Sequence, residues 1–363
     1  MESGRRRYAI LTEGYLADRH AKTAHGVIRY GRDDVAAVID SSFAGRDVAD
    51  VMPILGRRAP IVAGLRQAME YEPTALLVGV ATAGGVVPPE FRHQIVQAID
   101  AGLEIVSGLH DLLRDDEEFV AHAGRSGARL WDVRLPPADI PLFSGAAYAA
   151  PSIVALAVGS DCAIGKMSAM LELQRSACAA GAKAEFVATG QTGIMIAGRG
   201  IAVDRVIADF VSGAAEQLVL GVSPAADFAL VEGQGSIFHP AYAPVTLGLM
   251  YGSAPDLLVL CHRADRTTID EFDIPIPDLP ALVRAHEALL APVKAAPCVA
   301  LALNTSALDD AAARSAIARA QAQTGLPTDD AVRYGGAKLW RALVEAASRT
   351  RKRRAAETVL TKG

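Results

Sequence analysis

Paired cysteines, long apolar runs and a strong net charge are all missing from this chain, and each absence excludes a class of protein. The four cysteines occur singly with no CxxC pair, which argues against a disulfide framework or a zinc site and favours a reducing cytoplasm. The longest apolar stretch, 75–89, is interrupted by three glycines and is too short for a membrane-spanning helix. The basic first residues are not followed by the apolar core of a signal peptide. A net charge of -5 gives no field that would hold nucleic acid.

The length and apolar content indicate two folded domains. At 363 residues the chain exceeds what one core usually organises, and 51% of it is hydrophobic. Short β-branched runs alternate with helical patterns throughout, which is typical of an α/β fold with parallel sheets. Prolines cluster between 136 and 151, so we place the boundary there. The prediction is a Rossmann-like N-terminal domain over 1–140 and a second α/β domain over 141–363.

The periodicity also predicts individual elements. In the first domain we expect strands at 8–12, 35–39, 75–80, 104–106 and 129–133, with helices at 59–70 and 89–101. In the second we expect strands at 153–158, 184–189, 228–232, 257–262 and 299–304, with helices at 166–180, 203–220, 280–290, 308–323 and 331–349. The cationic run over 349–354 is expected to be a solvated helix end.

A strand, a glycine-bracketed loop and a helix follow one another over 153–168, which read IVALAVGSDCAIGKMS. Glycine allows backbone N–H groups to converge on a phosphate, the helix start adds positive partial charge, and a lysine reaches the outer phosphate oxygens. The sequence therefore predicts that this loop binds a phosphate-bearing nucleotide or coenzyme. The predicted cofactor-binding residues are Gly159, Ser160, Asp161, Cys162, Ala163, Ile164, Gly165, Lys166, Met167 and Ser168.

This loop departs from the common phosphate-loop pattern in two ways. Five residues separate its glycines instead of four, and Met167 occupies the position where a hydroxyl normally ligates magnesium. A thioether does not ligate Mg²⁺, and Ser168 is expected to face another direction on the helix. Such a loop suits phosphates that are bound and never transferred, as in coenzyme A, and we predict no bound metal. Cys162 is a possible acyl carrier, although an inward-packing cysteine is more common.

Further polar residues follow the neighbouring strands of the second domain. Glu232 ends a strand and is a candidate catalytic base or metal ligand, with a loop-anchoring carboxylate as the alternative. His239 is a candidate catalytic residue or a structural hydrogen-bonding group. The candidate substrate-binding residues are Gln191, Thr192, Gln234 and Arg263.

Two further features also have alternative explanations. A surface salt bridge of Arg263 with Asp265 explains that pair equally well. In the first domain, the turn at 81–86 is either a second anion cradle or a tight connection between strand and helix.

Taken together, GSDCAIGKMS, TGQTGIM and VEGQGSIFHP resemble a two-domain family that includes the bacterial D-glutamate N-acetyltransferases and was long catalogued as a domain of unknown function. The resemblance spans nearly the whole chain. The second half, a P-loop NTPase-like parallel-sheet domain, is also similar to dethiobiotin synthetase, whose corresponding glutamate ligates magnesium. Met167 departs from that synthetase at its metal-binding threonine.

The resemblance implies acetyl transfer from acetyl-CoA to the amino group of D-glutamate, as a step in D-glutamate catabolism. The alternative is an ATP-dependent kinase or ligase acting on a small carboxylate with Mg-ATP. A third class is a regulatory protein that senses a nucleotide or coenzyme A without turnover. We expect a cytoplasmic homo-oligomer with a small-molecule substrate and neither a nucleic-acid nor a membrane partner.

Overall fold

The computed structural model describes residues 5–360, without the side chains of residues 83, 353 and 355–360. The chain divides into two compact units at Pro136 and Pro137, within the proline-rich connection. The first unit also takes in 191–205, a segment that the sequence analysis places in the second domain. None of the helices formed by residues 5–360 combines the length and hydrophobicity needed to cross a lipid bilayer.

The first unit contains a six-stranded sheet in the order β3-β2-β1-β4-β5-β6, with every pair parallel. Its strands are β1 (Arg7–Leu11), β2 (Asp34–Ile39), β3 (Ile61–Val62), β4 (Ala75–Val78), β5 (Glu104–Ser107) and β6 (Leu130–Asp132). Its helices are α1 (Lys22–Tyr30), α2 (Val48–Val51), α3 (Leu65–Ala68), α4 (Pro89–Asp100), α5 (Glu117–Ser126) and α7 (Gln191–Ala197). This strand order is the Rossmann order, which confirms the predicted fold of the N-terminal half.

The second unit contains another parallel sheet, in the order β12-β11-β10-β7-β9-β8. Its strands are β7 (Ile153–Gly159), β8 (Ala184–Val187), β9 (Phe228–Val231), β10 (Leu257–Arg263), β11 (Cys298–Asn304) and β12 (Thr328–Asp329). Its helices are α6 (Lys166–Ala179), α8 (Val211–Leu220), α9 (Ala243–Ser253), α10 (Leu279–Leu290), α11 (Asp310–Thr324), α12 (Ala331–Tyr334) and α13 (Ala337–Leu360). Strand β7 is central and buried along its whole length, as its continuous apolar run requires. The loop that follows β7 is therefore held by the middle of the sheet.

Three predicted helices are wrong in extent. Residues 59–70 instead form the edge strand β3, whose Ile61 lies opposite Val38 of β2, followed by the single turn α3. Residues 203–220 begin with two short 3₁₀ turns, and the α-helix starts only at Val211. The predicted helix 331–349 is divided at Gly335, whose φ of 85° is a left-handed value that favours glycine.

The last helix is attached to the sheet through a buried carboxylate. Asp256 is fully buried, and its carboxylate accepts hydrogen bonds from Arg354 at 2.7 and 2.8 Å and from the Val154 N–H at 2.9 Å. Lys294 lies 3.0 Å from the same carboxylate. The prediction of a solvated cationic helix end is therefore wrong for Arg354.

Candidate functional site

The loop between β7 and α6 is compact because glycine and left-handed residues turn it sharply. Gly165 has a φ of 102° and precedes the first residue of α6, and Ala163 has a φ of 50°. A Cβ at Gly159 would lie 2.5 Å from Ile164 Cδ1 and 3.2 Å from the Cys261 carbonyl oxygen, so a larger residue would require the Ile164 side chain to shift. Among the described residues, none accepts a hydrogen bond from the backbone N–H groups of Ala163, Ile164 or Gly165. These N–H groups are available to an anion at the start of α6.

Lys166 is buried at the start of the helix, with 6% of its surface exposed. Its ammonium donates hydrogen bonds to the carbonyl oxygens of Asp161 and Gly235, both at 2.7 Å. Burial lowers the pKa of the Lys166 ammonium, since the charged form loses hydration. The lysine therefore bridges the phosphate loop and the loop that follows β9.

Asp161 is a structural member of the loop. Its buried carboxylate accepts hydrogen bonds from the Cys162 N–H at 2.7 Å, from Arg266 at 2.7 Å and from the Asp270 N–H at 2.8 Å. Arg266 compensates the negative charge that would otherwise repel a phosphate, and it also donates to the Cys162 carbonyl at 3.1 Å. Arg266 and Asp270 were not predicted, because nothing in their spacing relates them to Asp161.

The loop after β9 comes close to the phosphate loop at Gly233. A Cβ there would lie 1.9 Å from the Ala157 carbonyl oxygen of β7 and 2.8 Å from Lys166 Cδ. Gly235 has a φ of 60°, and a Cβ there would lie 2.7 Å from the Tyr242 carbonyl oxygen. Glycine is thus required at both positions, which explains the VEGQG sequence.

Glu232 is buried and fastens the ends of neighbouring strands. Its Oε2 accepts hydrogen bonds from the N–H groups of Thr189 at 2.9 Å and Gly190 at 3.0 Å, and its carbonyl accepts one from the Thr189 hydroxyl at 2.8 Å. The Gln234 amide donates to the same hydroxyl at 3.1 Å. Glu232 and Gln234 are therefore brought together, and Glu232 has the contacts of the loop-anchoring carboxylate.

His239 is buried, and its ring is held in one hydrogen-bonded state. Its Nδ1 accepts a hydrogen bond from the Ala241 N–H at 3.2 Å, so in the neutral ring the proton is on Nε2. Potential ligand atoms of His239, Asp161 and Cys162 lie within 4.8 Å of one another. This set does not suit a metal, because Nδ1 already accepts a hydrogen bond, Nε2 carries a proton, and both Asp161 oxygens are bonded.

His262, near the end of β10, contacts the phosphate loop and is not among the predicted site residues. Its Nδ1 lies 2.8 Å from the Ser160 hydroxyl oxygen. Strand β10 pairs with β7 so that Cys261 lies opposite Gly159, and the next residue therefore reaches the start of the loop. Burial lowers the pKa of His262. The available signal was a titratable residue at the carboxyl end of a predicted strand.

Comparisons with known proteins assign the chain to a family. The Rossmann-like N-terminal domain of unknown function DUF1611_N matches residues 41–136, and the P-loop domain of unknown function DUF1611_C matches residues 141–340. The chain belongs to the DUF1611 family. A crystal structure of a DUF1611 family protein from Anabaena variabilis superposes with a TM-score of 0.89 at 39% identity, over 94% of this chain and 100% of that one.

Two similar proteins are named D-glutamate N-acetyltransferase. The one from Tritonibacter scottomollicae is 37% identical over 286 residues, which is 77% of this chain and 84% of the relative. The one from a Pseudoalteromonas species is 43% identical over 194 residues, which is 53% of this chain and 57% of the relative. The predicted family resemblance is thereby confirmed.

Two candidate residues of this DUF1611 chain lie in the first unit. The hydroxyl oxygens of Thr192 and Thr23 are 3.3 Å apart, so α7 packs on α1. A Cβ at Gly108, just after β5, would lie 2.7 Å from Gln191 Cγ. Both side chains therefore have structural contacts in the Rossmann-like unit, and their role in substrate binding stays a prediction.

Arg263, the fourth candidate for substrate binding, is already paired. Its guanidinium makes two hydrogen bonds to the Asp265 carboxylate, at 2.7 and 2.8 Å, and about a third of each side chain is exposed. The arginine has the fork geometry that recognises a carboxylate, but a substrate would have to displace Asp265. Its role in binding also stays a prediction.

Backbone hydrogen bonds link the segments that follow β1 and β4, where the strand order of the Rossmann-like unit reverses. The Ala24 N–H donates to the Gly79 carbonyl at 2.8 Å, and the Ala81 N–H donates to the His20 carbonyl at 2.7 Å. These bonds connect the helical segment after β1 with the residues after β4, at the sheet edge where nucleotides bind in open Rossmann sheets. They are compatible with a tight connection at 81–86, and the choice between that connection and an anion cradle stays a prediction.

Proposed function

We propose that this protein is an N-acetyltransferase that moves the acetyl group of acetyl-CoA to the amino group of D-glutamate. The observation that carries the proposal is the phosphate loop, where unpaired backbone N–H groups and Lys166 converge while Met167 replaces the usual magnesium ligand. Two relatives named D-glutamate N-acetyltransferase, at 37% and 43% identity, support the choice of reaction. The proposal includes a cytoplasmic location and a place in D-amino acid catabolism.

The chemistry assigns distinct tasks to the residues at this sheet edge. The loop N–H groups and Lys166 bind phosphates of coenzyme A, and the lysine exchanges its carbonyl partners for phosphate oxygens. Glu232 orients the segment 189–190, and backbone N–H groups near Gly233 or Gly235 stabilise the oxyanion formed when the amine attacks the thioester. His239, whose neutral ring carries its proton on Nε2, is suited to donate a hydrogen bond there.

The direct test offers the protein two pairs of substrates. Purified protein is incubated with D-glutamate and either acetyl-CoA or Mg-ATP, and free thiol and ADP are measured. We expect thiol release without ADP, and L-glutamate serves to test the preference for the D-isomer. ADP formation with no thiol would reject the transferase and favour the ATP-dependent alternative. Tight coenzyme binding without consumption of D-glutamate would favour a sensor.

The phosphate loop is tested separately by Lys166→Met. Losing a charge-assisted hydrogen bond costs about 2 kcal/mol, so we expect roughly 30-fold weaker binding of coenzyme A by calorimetry. Lys183→Met, which removes an exposed lysine before β8, is the matched control and should bind normally. Equal affinities for the two variants would show that coenzyme A binds elsewhere.

A further inference from the structure

His262 stands beside the phosphate loop without being enclosed in the core. Its ring is half-buried, whereas the Ser160 side chain it contacts is fully buried. The His262 Nδ1 lies 2.8 Å from the Ser160 Oγ, and this hydrogen bond turns the Nδ1 edge of the ring toward the phosphate loop. The Nε2 atom therefore projects from the opposite side of the ring.

The Ser160 hydroxyl is compatible with either protonation state of His262. When Nδ1 carries the proton of the neutral ring and donates to the Ser160 hydroxyl, Nε2 is unprotonated and can accept a proton while this hydrogen bond is kept. His262 can therefore gain a proton without losing its partner. His239 differs, since its Nδ1 accepts a hydrogen bond from the Ala241 N–H at 3.2 Å and its Nε2 therefore carries the proton of the neutral ring.

The Glu232 carboxylate is held by the backbone. Two backbone N–H groups, from Thr189 and Gly190, donate to its Oε2. These bonds assign Glu232 to the connection between the segments that follow β8 and β9. His262 differs from Glu232, because its partner is a hydroxyl that keeps its hydrogen bond when Nε2 gains a proton.

The charges facing His262 leave its ring neutral near pH 7. Burial is the largest effect and lowers the pKa, and Arg266 lowers it further, while Asp265 and Asp161 raise it. The two carboxylates are compensated by arginines, Asp161 by Arg266 and Asp265 by Arg263, each at 2.7 Å. A neutral imidazole is the form that accepts a proton in general base catalysis.

We propose that His262 is the general base of the acetyl transfer, an inference that rests on the proposed function. An N–H bond of the substrate ammonium breaks, and its proton moves to His262 Nε2. The amine lone pair then forms a bond to the thioester carbonyl carbon, and the carbon–sulfur bond breaks with its electron pair on sulfur. The attacking nitrogen, which is cationic once its lone pair has formed the new bond, releases its excess proton to solvent water, and the imidazolium returns a proton to the leaving thiolate. The Ser160 hydroxyl accepts the Nδ1–H hydrogen bond both in the neutral ring and in the imidazolium.

The test is His262→Gln in the full-length protein, with His93→Gln on the exposed face of α4 as the matched control. Glutamine keeps a polar group beside Ser160 but does not titrate. We expect kcat to fall by about 100- to 10,000-fold, the usual contribution of a general base, while coenzyme A affinity by calorimetry stays within about threefold. The acidic limb of the wild-type plot of log kcat against pH should disappear, and added imidazole should partly restore turnover to His262→Ala. His93→Gln should match the wild type.

Three results would overturn the assignment. If the wild type releases thiol and His262→Gln retains both kcat and the acidic limb, His262 is not the base, although the proposed function stands. If coenzyme A affinity falls in parallel with kcat, His262 only supports the loop. If the wild type itself releases no thiol from acetyl-CoA, the proposed function and this inference fail together.

Discussion

Gly233→Ala should destabilise the second unit more than most single substitutions at a glycine. The new Cβ would lie 1.9 Å from the Ala157 carbonyl oxygen, a separation that real Cβ atoms do not show. Ala157 cannot easily yield, because it lies within β7 and pairs with Val259 of β10. Relieving the overlap requires a backbone shift of about 1 Å, and overpacking of this kind costs up to about 3 kcal/mol.

The two tryptophans lie in different structural units, so the loss of stability of the second unit can be measured separately. Trp131 lies in β6 of the first unit, and Trp340 lies in α13, where its ring centroid is 4.7 Å from that of Phe228. In a Trp131→Phe background, tryptophan fluorescence therefore reports on unfolding of the second unit. A loss of 3 kcal/mol should lower the urea midpoint by at least about 1 M, for slopes of 1–3 kcal/mol/M.

A glycine in open space provides the control. Gly124 lies within α5, and a Cβ there meets no atom within 4 Å. Gly124→Ala should leave the Trp340 transition unchanged and stabilise its own helix by up to about 1 kcal/mol. A Gly233→Ala midpoint equal to that of the parent would refute the close approach of the two loops, and with it the placement of Lys166 between them.

Three further predictions concern a buried ion pair, a buried histidine and a paired arginine. Asp256→Asn should cost about 3–5 kcal/mol, because it leaves the Arg354 cation without its buried partner, and a midpoint shift below 0.5 M in the Trp340 assay would contradict this. Burial lowers the pKa of His286 from 6.5 to about 4, so the unfolded chain binds a proton at this residue more readily than the folded one does. The free energy of unfolding should therefore fall by about 2 kcal/mol from pH 7 to pH 5. The fall should be smaller in His286→Leu. Arg263→Met should change the free energy of unfolding by about 0.5 kcal/mol or less, since the pair of Arg263 with Asp265 is partly exposed. The same variant should raise the KM for D-glutamate at least about tenfold. An unchanged KM would show that the arginine does not bind the acceptor.

The phosphate loop was accessible from sequence because its signals are local. The predicted strand 153–158 and helix 166–180 match β7 and α6 to within one residue at each end. A continuous apolar run, two glycines and a lysine are neighbours along the chain, so their arrangement follows from backbone geometry without knowledge of distant contacts.

The contacts around the loop were less accessible because they join residues far apart in sequence. Arg266 reaches Asp161 and His262 reaches Ser160, both across about a hundred residues, because β10 pairs with β7. The order of strands in a sheet is set by packing of the whole unit and not by any local pattern. The edge strand β3 was missed for the same reason, since two residues have no recognisable periodicity until β2 pairs with them.

Helix α7 has a consequence for how the two halves of this protein can exist apart. The chain passes from one unit to the other three times, at 136, at 190 and at 205, because 191–205 belongs with the Rossmann-like unit. A gene fragment ending at residue 140 would encode a first half without the helix that covers α1 and Gly108. A single recombination event that duplicates or exchanges either half would therefore separate the Rossmann-like unit from its segment 191–205. We expect the two halves to be inherited together for this reason.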